Sequence, residues 1–142
     1  MSGAAFAMLL VRAGRRQVAL TLDHLIEVVD PGVPIGVPAR QPALRGLTTV
    51  RGRLLPLVHL GTLLDGGSCP EGVGDAGVVI AVGERRICLE VEAVEEVVRE
   101  PALPVPPGET LPWAIGVTRA PGGLVPVLDI PALGGRLAEG GS

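Results

Sequence analysis

The run Gly46-Leu47-Thr48-Thr49-Val50-Arg51-Gly52-Arg53-Leu54-Leu55-Pro56-Leu57-Val58-His59-Leu60 sets two apolar segments on either side of an Arg51-Gly52-Arg53 turn. It reads as a β-hairpin, with Gly52 able to supply the positive φ that a tight reversal needs. The second arm, Leu54 to Leu60, is apolar on both alternating faces apart from His59, so protein is expected on each side of it. The hairpin is therefore central to the fold, while its tip crowds two guanidinium groups. The same pattern returns without a gap as Gly116-Val117-Thr118-Arg119-Ala120-Pro121-Gly122-Gly123-Leu124-Val125-Pro126-Val127-Leu128-Asp129-Ile130. Gly46/Gly116, Thr48/Thr118, Gly52/Gly122, Leu54/Leu124 and Pro56/Pro126 are identical pairs. Upstream, Val18 to Val29 matches Ile87 to Val98, with Leu20, Glu27, Val28 and Val29 recurring. The chain reads as a duplication of a small unit, with a period too long for a solenoid.

Working outward, each half gives five short strands. Ala4 to Val11 and Arg16 to Leu22 form a first hairpin through Ala13-Gly14-Arg15, and Leu25 to Val29 follows. Three prolines and two glycines between Asp30 and Gln41 exclude helix. Leu60 to Leu64 can make one helical turn, and the glycine-rich Asp65 to Gly77 reads as a linker. Val78 to Val82, Arg85 to Val91, Ala93 to Val98 and the hairpin copy from Ala114 to Ile130 repeat the order around a proline-rich loop, Pro101 to Pro112. Five strands that close on themselves leave no long unpaired edge. Pro56 and Pro126 are expected at a bulge or an unpaired strand position. Leu133 to Ser142 reads as a short frayed end.

Composition narrows the function. The 142 residues make about one ordinary domain, or two very small ones sharing a core, and 47% hydrophobic content argues against disorder. Phe6 and Trp113 are the only aromatic residues. The core must be aliphatic, and the base-stacking platforms of single-strand nucleic-acid binders are absent. A net charge of -3 gives no footprint for a polyphosphate partner, so no nucleic acid is expected. The apolar segment Ala4 to Val11 is too short to span a bilayer, and its arginines follow it, which disfavours a secretory signal. Cys69 and Cys88 lack metal-ligand spacing and read as free cytosolic thiols. His24 and His59 show no zinc-like spacing, and the run Glu90, Glu92, Glu95, Glu96 contains no calcium loop, so no metal or cofactor is expected. No nucleophile elbow or phosphate loop occurs and the chain has no lysine, so no enzyme is indicated. Arg51 and Arg53 at the hairpin tip, with Glu27 at a strand end of the same half, are the remaining candidates; an arginine's planar fork and apolar stem suit it to a protein interface.

These residues resemble the CheW-like domain family of bacterial chemosensory coupling proteins. Gly46 to Leu60 matches the family's signature of glycine, apolar pair, Asn-Leu-Arg-Gly, apolar residues, proline and a closing Asp-Leu. Leu25-Ile26-Glu27-Val28 matches its upstream element, Cys88 to Val97 its second-half element, and Leu128-Asp129 its closing Leu-Asp. The resemblance covers about Phe6 to Leu133. Thr49 stands where the family has Asn, and His59 and Glu92 each stand where it has Asp. The resemblance implies an all-β fold of two pseudo-symmetric five-stranded SH3-like barrels sharing a hydrophobic interior. As a single domain over residues 4–133, this would divide into a first barrel (4–64), a linker (65–77) and a second barrel (78–133), followed by a flexible tail (134–142). It implies a non-catalytic adaptor between the cytoplasmic tip of a chemoreceptor and the regulatory domain of a CheA-type histidine kinase. Such an adaptor would be cytoplasmic, at the membrane-associated receptor array, without inserting into the membrane. By position, receptor contact falls on Leu25, Glu27, Arg51, Val78, Cys88 and Val97, lining the groove between the barrels, and kinase contact on Leu9, Leu22 and Leu25. The alternatives are a divergent module with a different protein partner, as Thr49 and His59 suggest, and a small-molecule-binding double barrel.

Overall fold

The computed structural model describes residues 5–38, 40–72, 74, 76–108 and 111–141, the side chains of 136 and 138–141 excepted. Residue 4, where the first strand was expected to begin, lies outside them, as does 142. The strands expected from the sequence are present: β1 (Phe6–Ala13), β2 (Arg16–Thr21), β3 (Leu25–Val29), β4 (Leu44–Val50), β5 (Arg53–His59), β6 (Ala76–Val82), β7 (Arg85–Val91), β8 (Ala93–Glu100), β9 (Ala114–Ala120) and β10 (Gly123–Leu128). A short helix α1 (Leu60–Asp65) follows β5, and α2 (Ile130–Gly141) follows β10.

The strands form two five-stranded sheets, ordered β8-β1-β2-β10-β9 and β3-β6-β7-β5-β4. Replacing each strand by its counterpart in the other half turns one order into the other, so the duplication is structural as well as textual. The expected succession of barrels, 4–64 and then 78–133, is not what forms. Each barrel takes the first hairpin of one half and the last three strands of the other. The reason lies in the connections. The hairpins β1–β2 and β6–β7 reverse through Gly14 and Gly83, both at positive φ. Between β2 and β3 stands only the 3-10 turn Leu22–His24, and between β7 and β8 only Glu92. Neither link carries a glycine for a tight reversal, and each hands the chain across to the opposite sheet. The halves then join through parallel pairs, Val127 with Ala19 and Leu57 to His59 with Cys88 to Glu90.

Each barrel closes through the proline-rich segment after β3 or β8. Ile35 exchanges two 2.8 Å backbone bonds with Leu47, and Leu103 does the same with Val117 at 2.7 and 2.8 Å. This explains the repeated residues. A Cβ on Gly46 or Gly116 would overlap the carbonyl of Ile35 or Leu103. The Thr48 and Thr118 hydroxyls donate to the carbonyls of Pro31 and Pro101. Pro56 and Pro126 are not at bulges; they stand opposite Leu47 and Val117. Since Leu47 and Val117 turn their own backbone bonds outward, the prolines also face away from that ladder, toward the side where parallel pairing has not yet begun. Their missing N–H therefore costs no ladder bond.

Strand alternation sorts the core into three. Met8, Leu10, Ala19, Val125 and Val127 fill one barrel, and Val50, Leu55, Leu57, Val79 and Cys88 the other. The intervening residues Leu9, Val11, Leu20, Val58, Val78 and Leu89 point into a shared interior between the barrels, with Trp113. That two-sided burial is what the uniformly apolar arm predicted. One expectation about the C-terminal end is corrected. Residues 134–141 are the continuation of α2, not a loose tail: Asp129 Oδ1 accepts from the Ala132 N–H at 3.3 Å, and Leu133 is fully buried in the shared interior. The described part of the glycine-rich linker is also held down. Arg45 donates to the carbonyls of Pro70 and Gly72 at 2.5 and 2.7 Å.

Candidate functional site

The tip of the β4–β5 hairpin is a two-residue turn, Arg51-Gly52, closed by the Val50–Arg53 pair. Both turn residues have positive φ, 51° and 80°, the primed geometry that matches the twist of the flanking strands. Arg51 is the one residue other than glycine with positive φ among those described, a conformation uncommon for a residue with a Cβ. In the second half the equivalent residue is Pro121, which cannot adopt it. The turn therefore presents its arginine only in the first half.

Glu27 lies on β3 just after a register shift between Leu25 and Glu27. Arg51 Nε donates to both of its carboxylate oxygens, at 3.1 and 2.9 Å. The carboxylate is mostly covered, at 23% side-chain exposure, whereas Arg51 is 79% exposed, so the pair fixes the stem and leaves the guanidinium facing solvent. An exposed pair of this kind adds little to stability. On β3, Ile26 and Val28 flank Glu27 on the opposite face and are themselves exposed. The result is an oriented cation at the hairpin tip. Glu96, the repeat of Glu27, has no arginine at its corresponding tip.

The structure thus joins two of the residues expected to contact a receptor. Val78 and Cys88 are fully buried, the first in the shared interior and the second inside a barrel, and neither lines a groove. Val97 is exposed, but on the other sheet, opposite Leu9, and no bond connects it to Arg51 or Glu27. Of the residues expected to meet a kinase, Leu9 is buried, while Leu22 and Leu25 are half-buried against the shared interior. Strand alternation could have revealed the burial of Val78 and Cys88, because both lie in unbroken apolar runs. Burial, with Glu90 nearby, pushes the Cys88 thiol up to about 12. Both described cysteines are free thiols. Brief alkylation of the native protein is expected to label the half-buried Cys69 and to spare Cys88 until denaturant is added; equal labelling, read by mass spectrometry, would contradict the packing.

Two polar networks had no signal in the sequence. Arg45 reaches across to Glu90, with Nε to Oε1 at 2.7 Å and Nη2 to Oε2 at 3.1 Å, and Glu90 also accepts from the Gly74 N–H. The second is more telling, because it is formed by two of the departures from the family signature. His59 Nε2 lies 2.7 Å from Glu92 Oε2. His59 Nδ1 accepts from the Thr62 N–H at 3.1 Å, capping α1 as Asp129 caps α2, so the proton sits on Nε2 and is donated to Glu92. The longer Glu92 side chain also accepts from the Gly14 N–H at 2.5 Å. His59 and Glu92 replace two aspartates with one contact between the halves.

That contact gives a pH dependence. Burial opposes ionisation of Glu92, but the Gly14 N–H and the His59 ring outweigh it and hold the carboxyl below its ordinary value of 4.5. A lowered carboxyl stabilises the fold above the ordinary value and loses that contribution as pH falls through the folded value. Glu92→Gln is expected to melt lower than the unmodified protein near neutrality. The gap should close below about pH 4.5. A gap that stays constant between about pH 3 and pH 7 would show that charge is not involved.

A family model for the CheW-like domain matches residues 7–136. Among solved structures, the scaffolding protein TtCheW from Thermoanaerobacter tengcongensis is similar to this chain with a TM-score of 0.76. The two share 18% identity over 91% of this chain and 92% of that one. No curated protein sequence matches.

Proposed function

Because the chain belongs to the CheW-like domain family, a family of chemotaxis scaffolds rather than enzymes, we propose that it couples a chemoreceptor to a CheA-type histidine kinase in a chemosensory complex. The observation that carries this reading is Arg51, held outward by Glu27 at a strained turn that the other half of the molecule does not reproduce. The receptor's cytoplasmic tip is the partner assigned to that turn. Leu22 and Leu25, partly open at the edge of the shared interior, are the kinase-side candidates. Val78, Cys88 and Leu9 would act from within, by shaping the barrels. Among the described residues no helix is long and apolar enough to cross a membrane, and the proposed location is the cytoplasmic face of a receptor array. The departure at His59 is answered internally by Glu92 and by the cap on α1, so it does not favour a different partner.

Titration against a purified receptor tip tests the proposal. Arg51→Glu is expected to weaken binding by about 2 kcal/mol, roughly thirtyfold, while the melting curve hardly moves, since the side chain is exposed. Arg53→Glu, one residue past the turn, should do much less. The exchanged pair Arg51→Glu with Glu27→Arg keeps an ion pair of reversed polarity. Binding recovered by that exchange would make the pair structural and remove Arg51 from the interface.

A further inference from the structure

Upstream of Leu57 and Cys88, where their parallel pairing begins, β5 and β7 stand apart. Pro56 has no N–H to offer across the gap. A groove of about 710 Å³ opens there, lined by Leu54, Pro56, Val82 and Ile87, with Leu137 of α2 along one side. Gly134 allows the helix to approach this closely, because a Cβ there would press on Val82. Arg85 and Arg86 stand in the wall of the groove, both exposed, and no carboxylate is among the lining residues. Among the described residues neither guanidinium has a hydrogen bond or an ion pair. Glu84 precedes them in the turn but does not line the groove.

The duplication supplies an internal comparison. The equivalent groove in the other barrel, about 380 Å³, runs along Leu124 and Pro126, with Arg16 and Gln17 in the places of Arg85 and Arg86. There the polar groups are already satisfied. Arg16 Nη2 bonds Asp65 Oδ1 at 2.9 Å and its guanidinium lies 5.2 Å from the Trp113 ring centre, while Gln17 donates to Glu95 at 2.7 Å. One groove is smaller and neutralised from within; the other is larger, apolar and cationic, on a chain whose net charge is -3.

We propose that the larger groove docks an acidic segment of a protein partner, with aliphatic side chains against Leu54, Val82 and Leu137 and carboxylates on Arg85 and Arg86. The planar fork of arginine favours two-point bonding to carboxylates, and the apolar floor excludes water around it. This surface is separate from the Arg51–Glu27 turn and does not depend on the role assigned to that turn.

The probe is a capped peptide alternating glutamate and leucine, titrated into the labelled full-length chain and followed by backbone amide shifts. A counterpart with lysine in place of glutamate serves as comparison. The acidic peptide is expected to move the amides of Val82, Arg85, Arg86 and Leu137, and added salt should weaken it. The double variant Arg85→Glu with Arg86→Glu should raise its dissociation constant about tenfold or more without lowering the melting temperature. Arg15→Glu, an exposed arginine in the β1–β2 turn, should leave binding unchanged. Three results would overturn the proposal: no shift at these amides, equal shifts with the lysine peptide, or sedimentation showing a dimer that the double variant abolishes, which would assign the groove to a second copy.

Discussion

A chain ending at Gly74 is expected to show no cooperative thermal transition, and mixing residues 1–74 with 75–142 is expected to restore one. The first fragment keeps β1 to β5, yet β1 and β2 have lost β8 and β10, and β3 and β5 have lost β6 and β7. Neither sheet retains more than three of its strands. Leu9, Val11, Leu20 and Val58, all buried in the shared interior, would lose most of their cover. Each such side chain contributes about 1.5–3 kcal/mol when fully buried. Losing four of them removes about 6–12 kcal/mol, comparable with the whole of the roughly 5–15 kcal/mol by which a native domain is stable. Recombination should succeed because the native pairing is itself an exchange between the halves. A sharp melt in the 1–74 fragment alone would mean that a half can close a barrel from its own strands.

Glu90→Ala is expected to cost about 3–5 kcal/mol, seen as a fall in melting temperature of roughly 10 °C or more. The Glu90 side chain is 2% exposed and Arg45 11%, so removing one partner leaves the other charge out of water. The bond from the Gly74 N–H goes with it, and Arg45, which donates to the carbonyls of Pro70 and Gly72, loses the carboxylate that anchors it, so amide exchange at Gly74 should quicken. In the duplicated half the same place carries no charge, since Ile115 stands for Arg45 and Thr21 for Glu90, and both line a pocket of about 280 Å³. Arg45→Ile combined with Glu90→Thr should therefore lose less than the two single changes added together. Additive losses, or a Glu90→Ala variant within about 1 kcal/mol of the unmodified protein, would reduce the pair to an ordinary surface contact.

Much of this was readable in the chain. The short apolar runs Val18 to Leu20 and Leu54 to Val58, the glycines at the hairpin turns and the recurrence of Gly46, Thr48 and Pro56 at 116, 118 and 126 established ten strands and a duplication. The place of Arg51 at a hairpin tip was readable too, because a turn of arginine and glycine between apolar arms has few other conformations. What the pattern could not show was which strands meet. Apolar alternation says that a face is buried but not against what, and the parallel seams β5–β7 and β2–β10 join segments about thirty and about one hundred and ten residues apart, beyond the reach of any local rule.

The site divides along the same line. By themselves the residues determined an aliphatic double unit with an arginine at one hairpin tip. Only the tertiary structure decided that each barrel is built from both halves, that Val78 and Cys88 face inward, that Glu27 orients Arg51, and that His59 finds Glu92. Those outcomes depend on side chains distant in sequence coming within about 3 Å, and such proximity exists only once the strands have closed into barrels and packed together.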